Sequence, residues 1–79
     1  MKITVLYFAK LKAVRGVSQE TFDTPCQTIR ELYESLGLNG ASGMPHSQVK
    51  PAVNESFCGF DTELNEGDVV AFMPPMSGG

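Results

Sequence analysis

Basic residues are scarce in this chain and nowhere clustered: six lysines and arginines stand against nine aspartates and glutamates, a net charge of −3 over 79 residues. That argues against nucleic-acid binding by phosphate neutralisation. An acidic domain suits partners with basic surfaces, which is a matter of steering and not of fold. No stretch approaches the ~20 consecutive apolar residues that span a bilayer. The N-terminal segment is too short and too strand-like for a signal peptide, so cytoplasmic residence is the expectation. Cys26 and Cys58 are the only cysteines, lie far apart and match no metal-ligand spacing. Each reads as a small buried or half-buried hydrophobe, and an iron–sulfur cluster lacks its four thiolates. The single histidine, His46, falls in a Gly/Ser/Pro-rich stretch and reads as a solvated loop residue. No nucleophile–base pair, phosphate-binding glycine loop or paired-carboxylate site is visible. Acid–base groups for any reaction must therefore come from partners.

What is present is an ordinary globular composition, 42% hydrophobic, sized for one small domain that buries about 60% of its unfolded surface. From Lys2 to Phe8, Ile3, Val5 and Tyr7 alternate with Thr4, Leu6 and Phe8. This predicts a central strand covered on one side and sticky on the other. Ala9 to Arg15 reads as a short helical turn or two ending at Gly16. Val17 to Phe22 reads as an edge strand paired back on the first, broken by Asp23-Thr24-Pro25. The clearest helix follows: Thr28 and Glu31 have capping-box spacing. Ile29, Leu32, Tyr33 and Leu36 form one apolar stripe, and Gly37 supplies a left-handed stop. Periodicity vanishes from Asn39 to Ser47, which reads as a mobile loop and not a second helix. Val49 to Asn54 is a strand in which Pro51 calls for an edge or a strand beginning. Phe57-Cys58 is a short strand, Asp61 to Leu64 one tight helical turn, and Asn65 to Asp68 a turn. Val69 to Met73 is a near-continuous apolar run, expected as a buried central strand. The order β, short α, β, α, loop, β, β, β predicts an α+β domain in which a sheet is covered by one main helix.

The chain then ends Pro74-Pro75-Met76-Ser77-Gly78-Gly79. Gly78 and Gly79 carry no Cβ, so a terminal carboxylate here is as unhindered as a peptide allows. Pro74 and Pro75 favour an extended, polyproline-like path. From Phe72 to Gly79 the reach is roughly 23 Å at ~3.3 Å per residue. The expectation is a β-sheet domain over residues 1–73 carrying a projecting arm over 74–79.

That element order and ending resemble the ubiquitin-like β-grasp superfamily, and within it the small, sulfur-carrying subunit of molybdopterin synthase. Val5-Leu6-Tyr7-Phe8-Ala9-Lys10 and Ala52-Val53-Asn54 carry part of the likeness. The block from Leu64 through Gly67-Asp68, the apolar strand, Pro74-Pro75 and Gly78-Gly79 is its most specific part. Lys12 stands where an arginine is common, and Met73 where an aromatic often sits. Asn39 to Ser47 is shorter and richer in Gly and Ser than the family's helical segment.

The resemblance implies a mixed sheet of about five strands and a definite chemistry. A carboxylate resists nucleophilic attack and must first be activated. A ubiquitin-activating-like adenylyltransferase would adenylate Gly79 with ATP and Mg²⁺. Sulfur from a persulfide donor would then displace AMP to leave a thiocarboxylate. The large synthase subunit would receive the tail and pass its sulfur to a cyclic pterin precursor. No cofactor is expected to be stably bound. Gly79 is thus a carried reactant, with Pro74, Pro75, Met76, Ser77 and Gly78 as its arm. Phe8, Phe57 and Met73 match family positions that form an apolar docking patch. Strand parity agrees in part, since Val69, Ala71 and Met73 share one face, opposite Val70 and Phe72. A thiamine-type sulfur carrier, a ubiquitin-like modifier joined to a target lysine, and a scaffold with an incidental tail remain as alternatives.

Overall fold

The computed structural model describes residues 1–38 and 45–73. The arm expected over 74–79 lies outside the described residues, as do positions 39–44 of the expected loop. Five strands build one mixed sheet: β1 (Lys2–Tyr7), β2 (Gln19–Asp23), β3 (Lys50–Val53), β4 (Ser56–Phe57) and β5 (Val69–Met73). Their spatial order is β2-β1-β5-β3-β4. β1 and β5 run parallel at the centre, and the other neighbours are antiparallel. Two α-helices lie among the described residues, α1 (Ala9–Arg15) and α2 (Ile29–Ser35).

The alternation along β1 sends Ile3, Val5 and Tyr7 to the helix-covered face, where Val70 and Phe72 of β5 join them. Leu11 of α1, Ile29, Leu32 and Tyr33 of α2, and Leu38, Val49 and Leu64 close the core. Burial there pushes the Tyr33 phenol up to about 12.

α2 starts where its side-chain signals place it. The Thr28 hydroxyl accepts from the Glu31 amide at 3.2 Å. The Glu31 carboxylate reaches back to the Gln27 amide at 2.8 Å, one residue beyond the expected reciprocal bond to Thr28. Gly37 follows with φ 71°, the left-handed stop that a Cβ would strain.

Three local expectations need correction. Asp61 to Leu64 makes no helical turn: Thr62 donates to the Gly59 carbonyl at 3.2 Å, and Glu63 bridges Thr28. The Leu64 amide reaches the Gln27 carbonyl at 2.8 Å, so pairing with the segment before α2 overrides local helix preference. The stretch read as loop carries a 3₁₀ turn at His46–Gln48. His46 itself is no solvated loop residue. Its ring packs 5.1 Å from Tyr33 and 4.8 Å from Phe60 between centroids, and its Nε2 is buried, 3.5 Å from the Glu34 carboxylate.

Pro51 sits second in β3, between two strands. Its carbonyl accepts from the Cys58 amide at 3.0 Å, on the β4 side. Carbonyl and nitrogen of one strand residue point the same way, so the missing N–H costs the β5 ladder nothing. Both cysteines are half-buried and unbridged, as expected.

The Gly-Asp turn and the β3–β4 turn brace each other. Asn54 and Glu55 have φ 51° and 74°, which suits a tight hairpin. The Asn54 side chain donates to the buried Asp68 carboxylate at 3.0 Å and accepts from the Val69 amide at 3.0 Å. Asp68 also accepts from the Asn65 amide at 2.8 Å. The lead into β5 is thereby fixed. No helix among the described residues is long and apolar enough to cross a membrane.

Candidate functional site

The sheet face opposite the helices has no cover among the described residues, and its register arranges it in rows. Farthest from the end of β5, Lys2 faces Asp23. Next, Thr4 pairs with Thr21, their hydroxyls 2.9 Å apart, and with Val69. The third row runs through Gln19, Leu6, Ala71, Ala52 and Phe57. The register that pairs Tyr7 with Phe72, carried one residue on, sets Phe8 beside Met73 in the fourth row, and Met73 pairs with Lys50. The face is therefore polar at one end and apolar toward the end of β5.

Leu6, Phe8, Ala52, Asn54, Glu55, Phe57, Val69, Ala71 and Met73 line one shallow depression of about 480 Å³. Phe57 is 69% exposed and Phe8 39%. Val69, Ala71 and Met73 are half-buried, whereas Val70 and Phe72 between them are fully buried. Isolated exposed hydrophobes are normal on protein surfaces, but a contiguous set that empties its polar residues toward one edge marks a docking face.

The edge that bears Phe8 is held from behind. The Tyr7 hydroxyl donates to Glu20 Oε1 at 2.7 Å, and Arg15 Nη2 reaches the same oxygen at 2.8 Å. Arg15 Nη1 also donates to the Leu36 carbonyl at 3.3 Å, and its guanidinium lies 5.9 Å from the Tyr7 ring centroid. One side chain thus ties together α1, β1, β2 and the end of α2. The hydrogen bond from Tyr7, with that from Arg15, holds the Glu20 carboxyl below its ordinary range. Burial and the Glu20 carboxylate push the Tyr7 phenol far up. Phe8 leaves this anchored strand in extended conformation (φ −132°, ψ 148°), and Ala9 turns the chain into α1 with φ 51°, a left-handed value strained for alanine.

All three residues expected at a docking patch, Phe8, Phe57 and Met73, come together in this depression. Gly79 and the arm from Pro74 to Gly78 lie outside the described residues. Leu6, Ala52, Val69 and Ala71 complete the patch, and only the parity of β1 and β5 pointed to any of them. Ala52 carried no signal of its own, because its place beside Ala71 and Phe57 depends on strand pairing.

The ThiS family matches this chain over residues 5–79. The molybdopterin synthase sulfur carrier subunit of Chlamydomonas reinhardtii is 36% identical over 83 aligned positions, covering the whole of both chains. A solved structure from Pyrococcus furiosus, assigned as molybdopterin converting factor subunit 1, is 28% identical with a TM-score of 0.74, covering 96% of this chain and 99% of that one. A protein–protein complex of subunits 1 and 2 of molybdopterin-converting factor from Helicobacter pylori matches over all of both chains at 22% identity and TM-score 0.68, a likeness of fold. The family match, the full-length similarity and the strand order converge: the chain belongs to the ThiS family of ubiquitin-like β-grasp proteins, among the molybdopterin synthase sulfur carrier subunits.

Proposed function

We propose that this chain carries sulfur for molybdopterin synthesis, as residues 1–73 forming a docking domain and 74–79 a reactive arm. Full-length likeness to curated sulfur carrier subunits supports the reading. The observation that carries it is that the apolar rows of the open face converge on Met73, the last residue before the arm. A partner that covers this face stands where the arm begins, so docking and delivery of the chain end are coupled. The relative in complex with its subunit 2 supports a large synthase subunit as that partner.

In this reading an adenylyltransferase of the ubiquitin-activating type joins the Gly79 carboxylate to AMP, consuming ATP with Mg²⁺ and releasing pyrophosphate. A persulfide attacks the acyl-adenylate and displaces AMP to give an acyl disulfide, and a second thiol of the sulfur donor then cleaves the S–S bond, leaving the Gly79 thiocarboxylate and a donor disulfide. On the large subunit the thiocarboxylate sulfur bonds to the pterin precursor in place of an oxygen substituent, and water then cleaves the acyl–sulfur bond to return the Gly79 carboxylate. The glycines let the backbone approach each reacting group closely. The diproline reduces the entropy lost on threading. In this reading the work is cytoplasmic, where ATP for the adenylation is available. Phe8, Phe57 and Met73 supply the contact area, and the partners supply the acid and base groups.

Intact-mass analysis of protein recovered from cells that contain the activating enzyme tests the reading. The expected result is an oxygen-for-sulfur mass increase located on Gly79. High-mass conjugates in its place, lost when Gly79 is changed to a bulkier residue, would identify a protein modifier.

A further inference from the structure

The last row of the open face holds more than its apolar pair. Lys50 begins β3 directly opposite Met73, and its ammonium lies 6.0 Å from the Phe57 ring centroid. On the other flank, Lys12 of α1 lines a second depression of about 380 Å³ together with Phe8 and Ala9. Read across the edge, the order is Lys12, Phe8, Met73, Lys50: two apolar residues at the root of the arm, bracketed by two cations. Both lysines are exposed, and neither forms an ion pair among the described residues. Arg15, also in α1, is already neutralised by Glu20. The opposite end of the face is acidic, with Asp23 opposite Lys2 and Glu66 in the turn before β5, while Glu55, in the β3–β4 turn, lines the apolar depression on the side away from Lys50.

A domain with net charge −3 therefore presents its positive pole where the arm leaves. From this polarity we infer that the surface receiving the arm is acidic at its rim: a protein whose apolar docking site is flanked on both sides by carboxylates, one reaching Lys12 and the other Lys50. The inference rests on the sulfur-carrier reading and adds the charge pattern of its partner. Paired flanking charges fix orientation about the arm, because a domain rotated on an apolar patch alone would still bury Phe8 and Met73. Exposed charges of this kind act mainly on the rate of encounter and its salt dependence, and little on the lifetime of the complex. Net charge alone points the other way, toward basic partners; the distribution of charge decides it.

Stopped-flow association of the full chain with its cognate large synthase subunit, from about 20 to 500 mM NaCl, tests the inference. The Lys12→Glu/Lys50→Glu variant is expected to associate about tenfold more slowly at low salt and to lose most of the salt dependence, with dissociation little changed. Lys2→Glu makes the charge change of one single reversal at the far end and is expected to alter the rate less than about twofold, less than either Lys12→Glu or Lys50→Glu alone. Wild-type binding that is indifferent to the double reversal, or accelerated by it, overturns the bracket while leaving the sulfur-carrier reading standing. Slowing by Lys2→Glu equal to that of Lys12→Glu or Lys50→Glu alone overturns it too, as a mere net-charge effect. Absence of wild-type binding removes the carrier reading and the bracket with it. Sedimentation of the chain alone covers the remaining occupant: salt-sensitive oligomers dissolved by the double reversal would mean that the positive pole takes the acidic end of a second copy, and would overturn the inference.

Discussion

The two faces of the sheet are built from the same strands and from similar residues, yet they have opposite fates. On the covered face Ile3, Val5, Val70 and Phe72 are fully buried under α2 and its flanking segments. On the open face Leu6, Val69, Ala71 and Met73 stay half-buried, with Phe8 and Phe57 exposed beside them. Composition does not separate the two sets; the available cover does. Seven-residue α2 has one apolar stripe and can close only one side. The remaining apolar rows cost little stability in the free domain and are available for burial against a partner. The comparison teaches that apolar side chains one residue apart on a strand serve folding and assembly separately.

The largest effect that should separate the faces lies in β5. Phe72 is 0% exposed and makes edge-to-face contact with Tyr33 at 4.9 Å. Phe72→Ala should cost about 3–5 kcal/mol, a large part of a small domain's stability, and Leu32→Ala in α2 about 2–5 kcal/mol. Denaturant titration checks both. One residue on, Met73→Glu should abolish assembly with the large synthase subunit while shifting stability by less than about 1 kcal/mol. Binding by calorimetry alongside a melting curve reads the two effects apart. A Met73→Glu protein that unfolds globally, with no selective loss of binding, breaks the distinction between the faces.

Much of this division was legible in the sequence, where local signals and final contacts coincide. The α2 stripe, its Thr28 cap and Gly37 stop are local, and each holds. The parity of Val69, Ala71 and Met73 against Val70 and Phe72 follows from strand geometry alone. What stayed hidden depends on residues distant in the chain. His46 has polar, turn-forming neighbours in sequence, but its ring finds Tyr33 and Phe60. Asp61 to Leu64 resembles a helix start until Ile29, donating to the Thr62 carbonyl at 3.0 Å, claims the backbone for pairing. The bracket of Lys12 and Lys50 is set by the β3–β5 register and by the placement of α1, whereas composition yields only the sum of charges.

A smaller effect concerns the network that anchors the edge between the faces. Glu20 Oε1 accepts three hydrogen bonds, one from the Tyr7 hydroxyl and two from the Arg15 guanidinium. Glu20→Gln should cost roughly 1 kcal/mol, since the pair is part-exposed and partly screened. The pH dependence has a definite sign. The folded-state pKa of Glu20 is depressed, so its contribution is present above the ordinary glutamate range and is lost as pH falls through the lower folded value. The Tyr7 pKa is raised, so its contribution is complete below the ordinary tyrosine range and is lost as pH climbs through the higher folded value. Urea melts of wild type and Glu20→Gln should therefore converge at acid pH and stay separated at neutral pH. Parallel curves at every pH would assign the loss to shape and not to charge.

The smallest effect sits at Ala9, the residue between the strand that serves both faces and the helix that closes one. Its φ of 51° costs alanine about 1 kcal/mol relative to glycine. Ala9→Gly removes that strain but adds freedom to the unfolded chain, worth about 0.4–1 kcal/mol in the opposite direction. The two terms nearly cancel, so thermal or chemical melts should show a stability change within about 0.5 kcal/mol. Phe8 precedes this residue, and its backbone carbonyl accepts from the Leu11 amide at 3.1 Å. A looser residue 9 leaves the core intact but gives Phe8 more conformations to lose on docking. Ala9→Gly should therefore weaken partner binding by a few-fold through that added entropy, with the melt scarcely moved. A loss of stability without loss of affinity would place Ala9 with the covered face and erase the division at this one position.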